Sequence, residues 1–95
     1  MYKYELCLVL KPSLEDDARN QEIEKVKGYI ERFGGKVLEP IEDWGKKRLA
    51  YEINHIKEGY YYFIPFEGVS NTSNEVESFV RIMENVIRFL IVKKQ

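Results

Sequence analysis

The chain has 95 residues, 44% hydrophobic and 33% charged, with a formal net charge of −1. That length holds one domain around one hydrophobic core and leaves no room for two. No apolar run is long enough to cross a bilayer, a lone cysteine allows no intramolecular disulfide, and near-neutrality excludes gripping nucleic acid by bulk positive charge.

Tyr2 to Leu10 alternates, with Tyr2, Tyr4, Leu6, Leu8 and Leu10 on one face and Lys3, Glu5, Cys7 and Val9 on the other. This period of two predicts a strand and argues against a secretory signal, which needs an unbroken apolar region. The semi-apolar second face suits a central position. Pro12 ends the strand, having no N–H for the ladder. Ser13 is the expected N-cap of the first helix, with Glu15, Asp16 and Asp17 near the positive end of its dipole. Ile23, Val26, Ile30 and Phe33 recur at helical spacing, and Gly34-Gly35 stops the helix by accepting a left-handed C-cap.

Lys36 to Tyr51 reads as a long extended segment. Pro40 within it points to a sheet edge, and Gly45 to a bulge or bend. A polar turn is expected over Asn54 to Gly59, followed by a strand from Gly59 to Glu67 that completes a hairpin. Pro65 fits a central strand only near its end or at a bulge. Val69 to Asn74 reads as a loop, with Thr72 and Glu75 forming a capping box for a second helix whose buried face carries Val76, Phe79, Val80 and Met83. Asn85 is the expected left-handed stop. Val86 to Lys93 is the last strand, apolar enough to be largely covered.

The order is strand, helix, strand, strand, helix, strand. Right-handed crossovers then give one domain over residues 1–95, a ferredoxin-like βαββαβ fold with a four-stranded antiparallel sheet and two helices on one face.

Catalytic constellations are absent from the sequence. His55 is a lone histidine in a turn with no cysteine near it, so neither a metal site nor a cofactor is expected. There is no GxSxG, HExxH or P-loop pattern, and Gly34-Gly35 lacks the further glycines of a phosphate cradle. Glu42-Asp43 and Cys7 read as a solvated edge pair and a small buried residue. The chain is read as a binder, not an enzyme.

Two features point to binding. In Gly59-Tyr60-Tyr61-Tyr62-Phe63-Ile64-Pro65-Phe66, alternation puts Tyr60, Tyr62, Ile64 and Phe66 under the helices. Tyr61 and Phe63 fall on the open face beside Cys7 and Val9, where aromatics serve either strand formation or docking. The second feature is Lys46-Lys47-Arg48 between Trp44 and Tyr51, three cations beside stacking rings. Residues 44–60 carry +2 and residues 81–95 carry +3, against −3 over 67–78, so a single basic face is one expectation. Basic residues on an edge also discourage sheet-to-sheet association, which accounts for part of the pattern.

At these residues the chain resembles the bacterial small-subunit ribosomal protein six family. The likeness runs from Tyr4-Glu5 and Leu8-Val9-Leu10-Lys11-Pro12 through Gly34-Gly35 to Glu84-Asn85-Val86-Ile87-Arg88 and Val92-Lys93-Lys94. It is most specific over Glu42-Asp43-Trp44-Gly45-Lys46-Lys47-Arg48-Leu49-Ala50-Tyr51-Glu52-Ile53 and Lys57-Glu58-Gly59-Tyr60-Tyr61. Glu52 departs from the proline of many members. The resemblance implies a ferredoxin-like structural component of the small ribosomal subunit, in the cytoplasm. Its partners would be small-subunit ribosomal RNA and small-subunit ribosomal protein eighteen, with no DNA and no membrane. The RNA-binding candidates are Lys46, Lys47, Arg48, Arg88, Lys93 and Lys94; the partner-binding candidates are Trp44, Tyr51, Tyr61 and Phe63. Rival readings on the same topology are a free-standing RNA-recognition module, a dimeric small-ligand regulatory domain and an acyl-phosphate hydrolase. The last would need an arginine-bearing anion loop where this chain has Lys11-Pro12-Ser13.

Overall fold

The computed structural model describes residues 1–53 and 55–94. The elements are β1 (Tyr2–Leu10), α1 (Asp16–Arg32), β2 (Lys36–Val37), β3 (Glu42–Ile53), β4 (Ile56–Gly68), α2 (Ser70–Arg81) and β5 (Val86–Lys94). β1 is central, paired antiparallel with β4 from Tyr2 opposite Gly68 to Leu10 opposite Tyr60, and with β5 on its other side. The outer edge of β4 is met by β2 at Phe66 and Glu67 and by β3 from Phe63 to Ile56. β2 and β3 are therefore two pieces of one edge strand, and the sheet keeps the ferredoxin-like order.

The period of two on β1 and β4 is what builds the core. Leu6, Leu8, Leu10, Ile64 and Phe66 are fully buried against Val26 and Ile30 of α1 and Val76 and Val80 of α2. Both helices thus lie on one face, and the other face carries none.

The C-terminus of α1 follows the glycine reading. Gly34 has φ +83°, its N–H reaches the Glu31 carbonyl, and the Gly35 N–H reaches the Ile30 carbonyl at 2.8 Å, a Schellman pair. A Cβ on Gly35 would stand 2.9 Å from Ile30, Thr72 and the Glu67 carbonyl, so close packing holds that position as well.

Several expectations are corrected. The N-cap of α1 is Glu15, not Ser13, and its side chain makes no capping bond. Arg19 anchors that end instead, donating to the Leu14 carbonyl at 2.6 Å, to Asp16, and to the Tyr62 hydroxyl at 3.1 Å. Residues 70–74 are the first turn and a half of α2 and not a loop, with Val69 as N-cap. Thr72 sits inside that turn, fully buried, and its hydroxyl donates to the Phe33 carbonyl at 2.8 Å, so it joins the two helices and forms no capping box. Asn85 lies beyond α2 without left-handed backbone. Its amide donates to the buried Glu22 carboxylate at 3.1 Å and its carbonyl accepts from the Lys11 N–H at 3.0 Å.

The hairpin turn is also shorter than expected. β4 begins at Ile56, opposite Ile53, and His55 takes φ 68°; Asn54 lies outside the described residues. Pro65 is interior to β4 and is tolerated because the strand ladder is interrupted beside it: β2 ends at Val37 and β3 begins only at Glu42. Its carbonyl accepts from the Leu38 N–H at 2.8 Å, which shows that this edge of Pro65 faces the gap. Finally, β5 is covered on one side only. Phe89 and Ile91 pack on the core, while Leu90 is 58% and Val92 41% exposed.

Candidate nucleic-acid and partner interface

The helix-free face of the sheet has an apolar centre. Phe63, Cys7 and Leu90 stand opposite one another on β4, β1 and β5, and the next row in that direction is Tyr61, Val9 and Arg88. Facing residues on neighbouring strands point to the same side, so the two rows form one surface. Val9 is buried because β4 approaches it closely: a Cβ on Gly59 would stand 2.5 Å from the Val9 side chain. Burial pushes the Cys7 thiol above its ordinary pKa, and the Glu5 charge adds to this while Arg88 opposes it. The thiol is accordingly a neutral part of the surface at physiological pH.

Trp44 joins this surface through the bulge. Gly45 has φ +75°, its N–H donates to Asp43 Oδ1 at 2.8 Å, and the register shifts between Asp43 and Gly45. The extra residue places the Trp44 ring 4.6 Å from that of Phe63, with 53% of the residue still exposed. A cavity of about 170 Å³ opens between Cys7, Val9, Tyr61, Arg88, Phe89 and Leu90.

Beyond the bulge, β3 and β4 continue as a two-stranded arm. Lys46, Lys47 and Arg48 stand opposite Tyr60, Gly59 and Glu58. Alternation sends Lys47 to the open side and Lys46 and Arg48 to the helix side. The Lys46 ammonium lies 5.5 Å from the Tyr60 ring, which also carries the Arg19 guanidinium at 3.7 Å. The register shifts again between Arg48 and Ile53. Within that stretch Tyr51 meets β5, where the phenol oxygen accepts from Arg88 Nη1 at 3.1 Å and the ring lies 5.6 Å from the guanidinium.

The candidate residues therefore fall into separate groups. Trp44, Tyr61 and Phe63 share the open face, Tyr51 is clipped to Arg88, and Lys46 to Arg48 form the root of the arm. Lys93 and Lys94 are elsewhere. Lys94 lies six positions beyond Arg88 along β5, about 20 Å at the strand rise. The single basic face expected from the charge distribution is replaced by two cationic ends with an apolar middle. Leu90 and Val92 extend that middle and were missed, although the alternation of Arg88, Leu90 and Val92 with Phe89 and Ile91 carries the signal.

Comparison with known proteins bears on the family and the fold. Residues 3–93 match the family described as Ribosomal protein S6. The small ribosomal subunit protein bS6 of Clostridium novyi is 42% identical over 95 residues, covering 100% of this chain and 99% of that protein. The bS6 protein of Alkaliphilus oremlandii is 41% identical, covering 98% of this chain and 97% of that protein. Among solved structures, the 30S ribosomal protein S6 of Thermotoga maritima has a TM-score of 0.90 at 31% identity, covering 98% of this chain and 87% of that one.

Proposed function

The chain belongs to the ribosomal protein S6 family of the small ribosomal subunit, and from that premise we propose that it is a structural component that binds small-subunit ribosomal RNA jointly with small-subunit ribosomal protein eighteen. The observation that carries this reading is the open sheet face. Its centre, Phe63, Cys7, Leu90 and Val92 with Trp44 at the side, is apolar and uncovered, which suits a protein chain better than a phosphate backbone. Next to it, Lys46, Lys47, Arg48 and Arg88 supply cations of the kind that contact phosphates.

Neither region suffices alone. A protein of net charge −1 has little long-range attraction for RNA, so its own affinity is low at physiological salt. A second chain on the apolar face adds its cations and holds the arm in one position, which makes binding joint. A small-molecule role is less well served, because the cavity of about 170 Å³ on this face is below the roughly 300–1,000 Å³ of ligand sites. The test is to titrate small-subunit ribosomal RNA with this protein, alone and with protein eighteen present. The expected result is tighter binding in the presence of protein eighteen; equal affinity in both titrations overturns the proposal.

A further inference from the structure

At the end of the sheet remote from the arm, the register lines up charges that lie far apart in the sequence. Lys36, Glu67, Lys3 and Lys94 occupy one row across β2, β4, β1 and β5. Adjacent strands are roughly 4.8 Å apart, and facing residues point to the same side, so this row crosses the full width of the open face. Lys3 and Lys94 are direct cross-strand neighbours, a like-charge pairing that disfavours the sheet. Glu67 lies between Lys36 and Lys3, and Glu5 reaches Lys94 at 3.5 Å. Around the corner, on the helix side, the Lys93 ammonium sits 3.7 Å from the centre of the Tyr2 ring, and Tyr2 is 47% exposed. A shallow cavity of about 240 Å³ is lined by Met1, Tyr2, Lys3, Lys93 and Lys94. Four lysines and two glutamates thus lie at this end of the sheet, in a protein whose total charge is −1.

We propose that this end of the sheet, with Lys3, Lys36 and Lys94 on the open face and Lys93 with Tyr2 around its corner, is a second contact for the RNA phosphate backbone, independent of the arm. An anion lying along the row would relieve the Lys3–Lys94 repulsion, and the surplus of cations over carboxylates provides the attraction. The exposed part of Tyr2 offers a ring edge to a sugar or base beside the phosphates. With the arm about 20 Å away along β5, the two contacts bracket the apolar centre. RNA then touches both ends of the sheet while a protein occupies the middle. This inference rests on the RNA-binding reading above and adds a place to it.

The test uses the triple variant Lys3→Ala/Lys36→Ala/Lys93→Ala of the full chain with protein eighteen and small-subunit ribosomal RNA, followed over a salt series. Each lost contact removes about 0.7 to 0.9 from the slope of log affinity against log salt, so the expected slope is shallower by about two units. Lysine-to-arginine replacement at the same positions should restore it, and the thermal unfolding midpoint serves as the check on folding. The Lys46→Ala/Lys47→Ala/Arg48→Ala variant is measured alongside. A full slope in the corner variant with a reduced slope in the arm variant overturns the second contact and leaves the RNA-binding reading standing. Unchanged slopes in both overturn the reading itself. If the corner variant keeps its slope but binds protein eighteen more weakly without RNA, the corner is a protein contact and the proposal fails.

Discussion

The two faces of the sheet are built from the same strands and obey opposite rules. On one, Leu6, Leu8, Ile64 and Phe66 are fully buried beneath two helices. On the other, one residue along in each case, Cys7, Phe63 and Leu90 lie in a row with Leu90 58% exposed. A period of two divides the covered face from the open one at single-residue resolution, because neighbours on a strand share a backbone and no environment. Substitutions on the helix face should therefore act through folding, and those on the open face through partners.

The sharpest way to break that division is Phe66→Ala. The ring is fully buried and stacks on Tyr4 at 5.2 Å, so its removal should cost about 3–5 kcal/mol in denaturant unfolding. RNA binding should fall only in proportion to the unfolded fraction; a loss of binding with undiminished stability would erase the distinction between the faces. The arm comes next. Lys46→Ala/Lys47→Ala/Arg48→Ala should leave the melting midpoint nearly unchanged, since exposed charges contribute little. It should lower the salt slope of RNA binding by about two to three units. Leu90→Ala/Val92→Ala should destabilise by less than about 1 kcal/mol, yet weaken binding of protein eighteen about tenfold in calorimetry without RNA.

What could be read from the sequence was local. Alternation along Tyr2 to Leu10 identified both faces of β1, Gly34-Gly35 gave the helix stop, and Gly45 gave the bulge, since each signal acts within a few residues. Thr72 and Asn85 were misread for the opposite reason. Each looked like a local cap, but their partners, Phe33 and Glu22, are 39 and 63 positions away. Distant acceptors displaced the local ones because the packed fold leaves those polar groups nowhere else to bond. The site was divided in the same way. The aromatic strand and the basic run were legible, but only the folded chain shows that the Tyr51 hydroxyl meets Arg88, and only strand register that Lys94 lies beside Lys3.

Cys7 tests the comparison more finely, because it belongs to the open face but is half covered. Its thiol pKa is raised in the folded state, chiefly by burial, and so is that of the Tyr62 phenol. A raised folded pKa gives stability that is complete below the ordinary value and is lost as pH rises through the folded one. The unfolding midpoint should therefore decline as the pH rises above the ordinary thiol value of about 8.5, and Cys7→Ala should flatten that first part of the decline and leave the tyrosine part, which begins above the ordinary phenol value of about 10. Cys7→Ser should leave RNA-dependent assembly intact. Alkylation of Cys7 should slow when protein eighteen is bound; an unchanged rate would place the partner elsewhere.

The smallest expected effect is that of Tyr51→Phe, and it probes how the arm is coupled to the sheet. The hydroxyl accepts a single hydrogen bond from Arg88, and Tyr51 is 60% exposed. In water such a contact contributes no more than about 1 kcal/mol, and the phenylalanine ring keeps the stacking half of it. Unfolding should therefore shift by a few tenths of a kcal/mol at most. A partner covering Leu90 would also dry the neighbouring Arg88–Tyr51 contact, and hydrogen bonds strengthen as water leaves. The variant should then lose more affinity for RNA in the presence of protein eighteen than in its absence, by a factor of about three. Equal losses in the two titrations would mean that the arm is positioned by its own bulges, between Asp43 and Gly45 and between Arg48 and Ile53, and not by its clasp on β5.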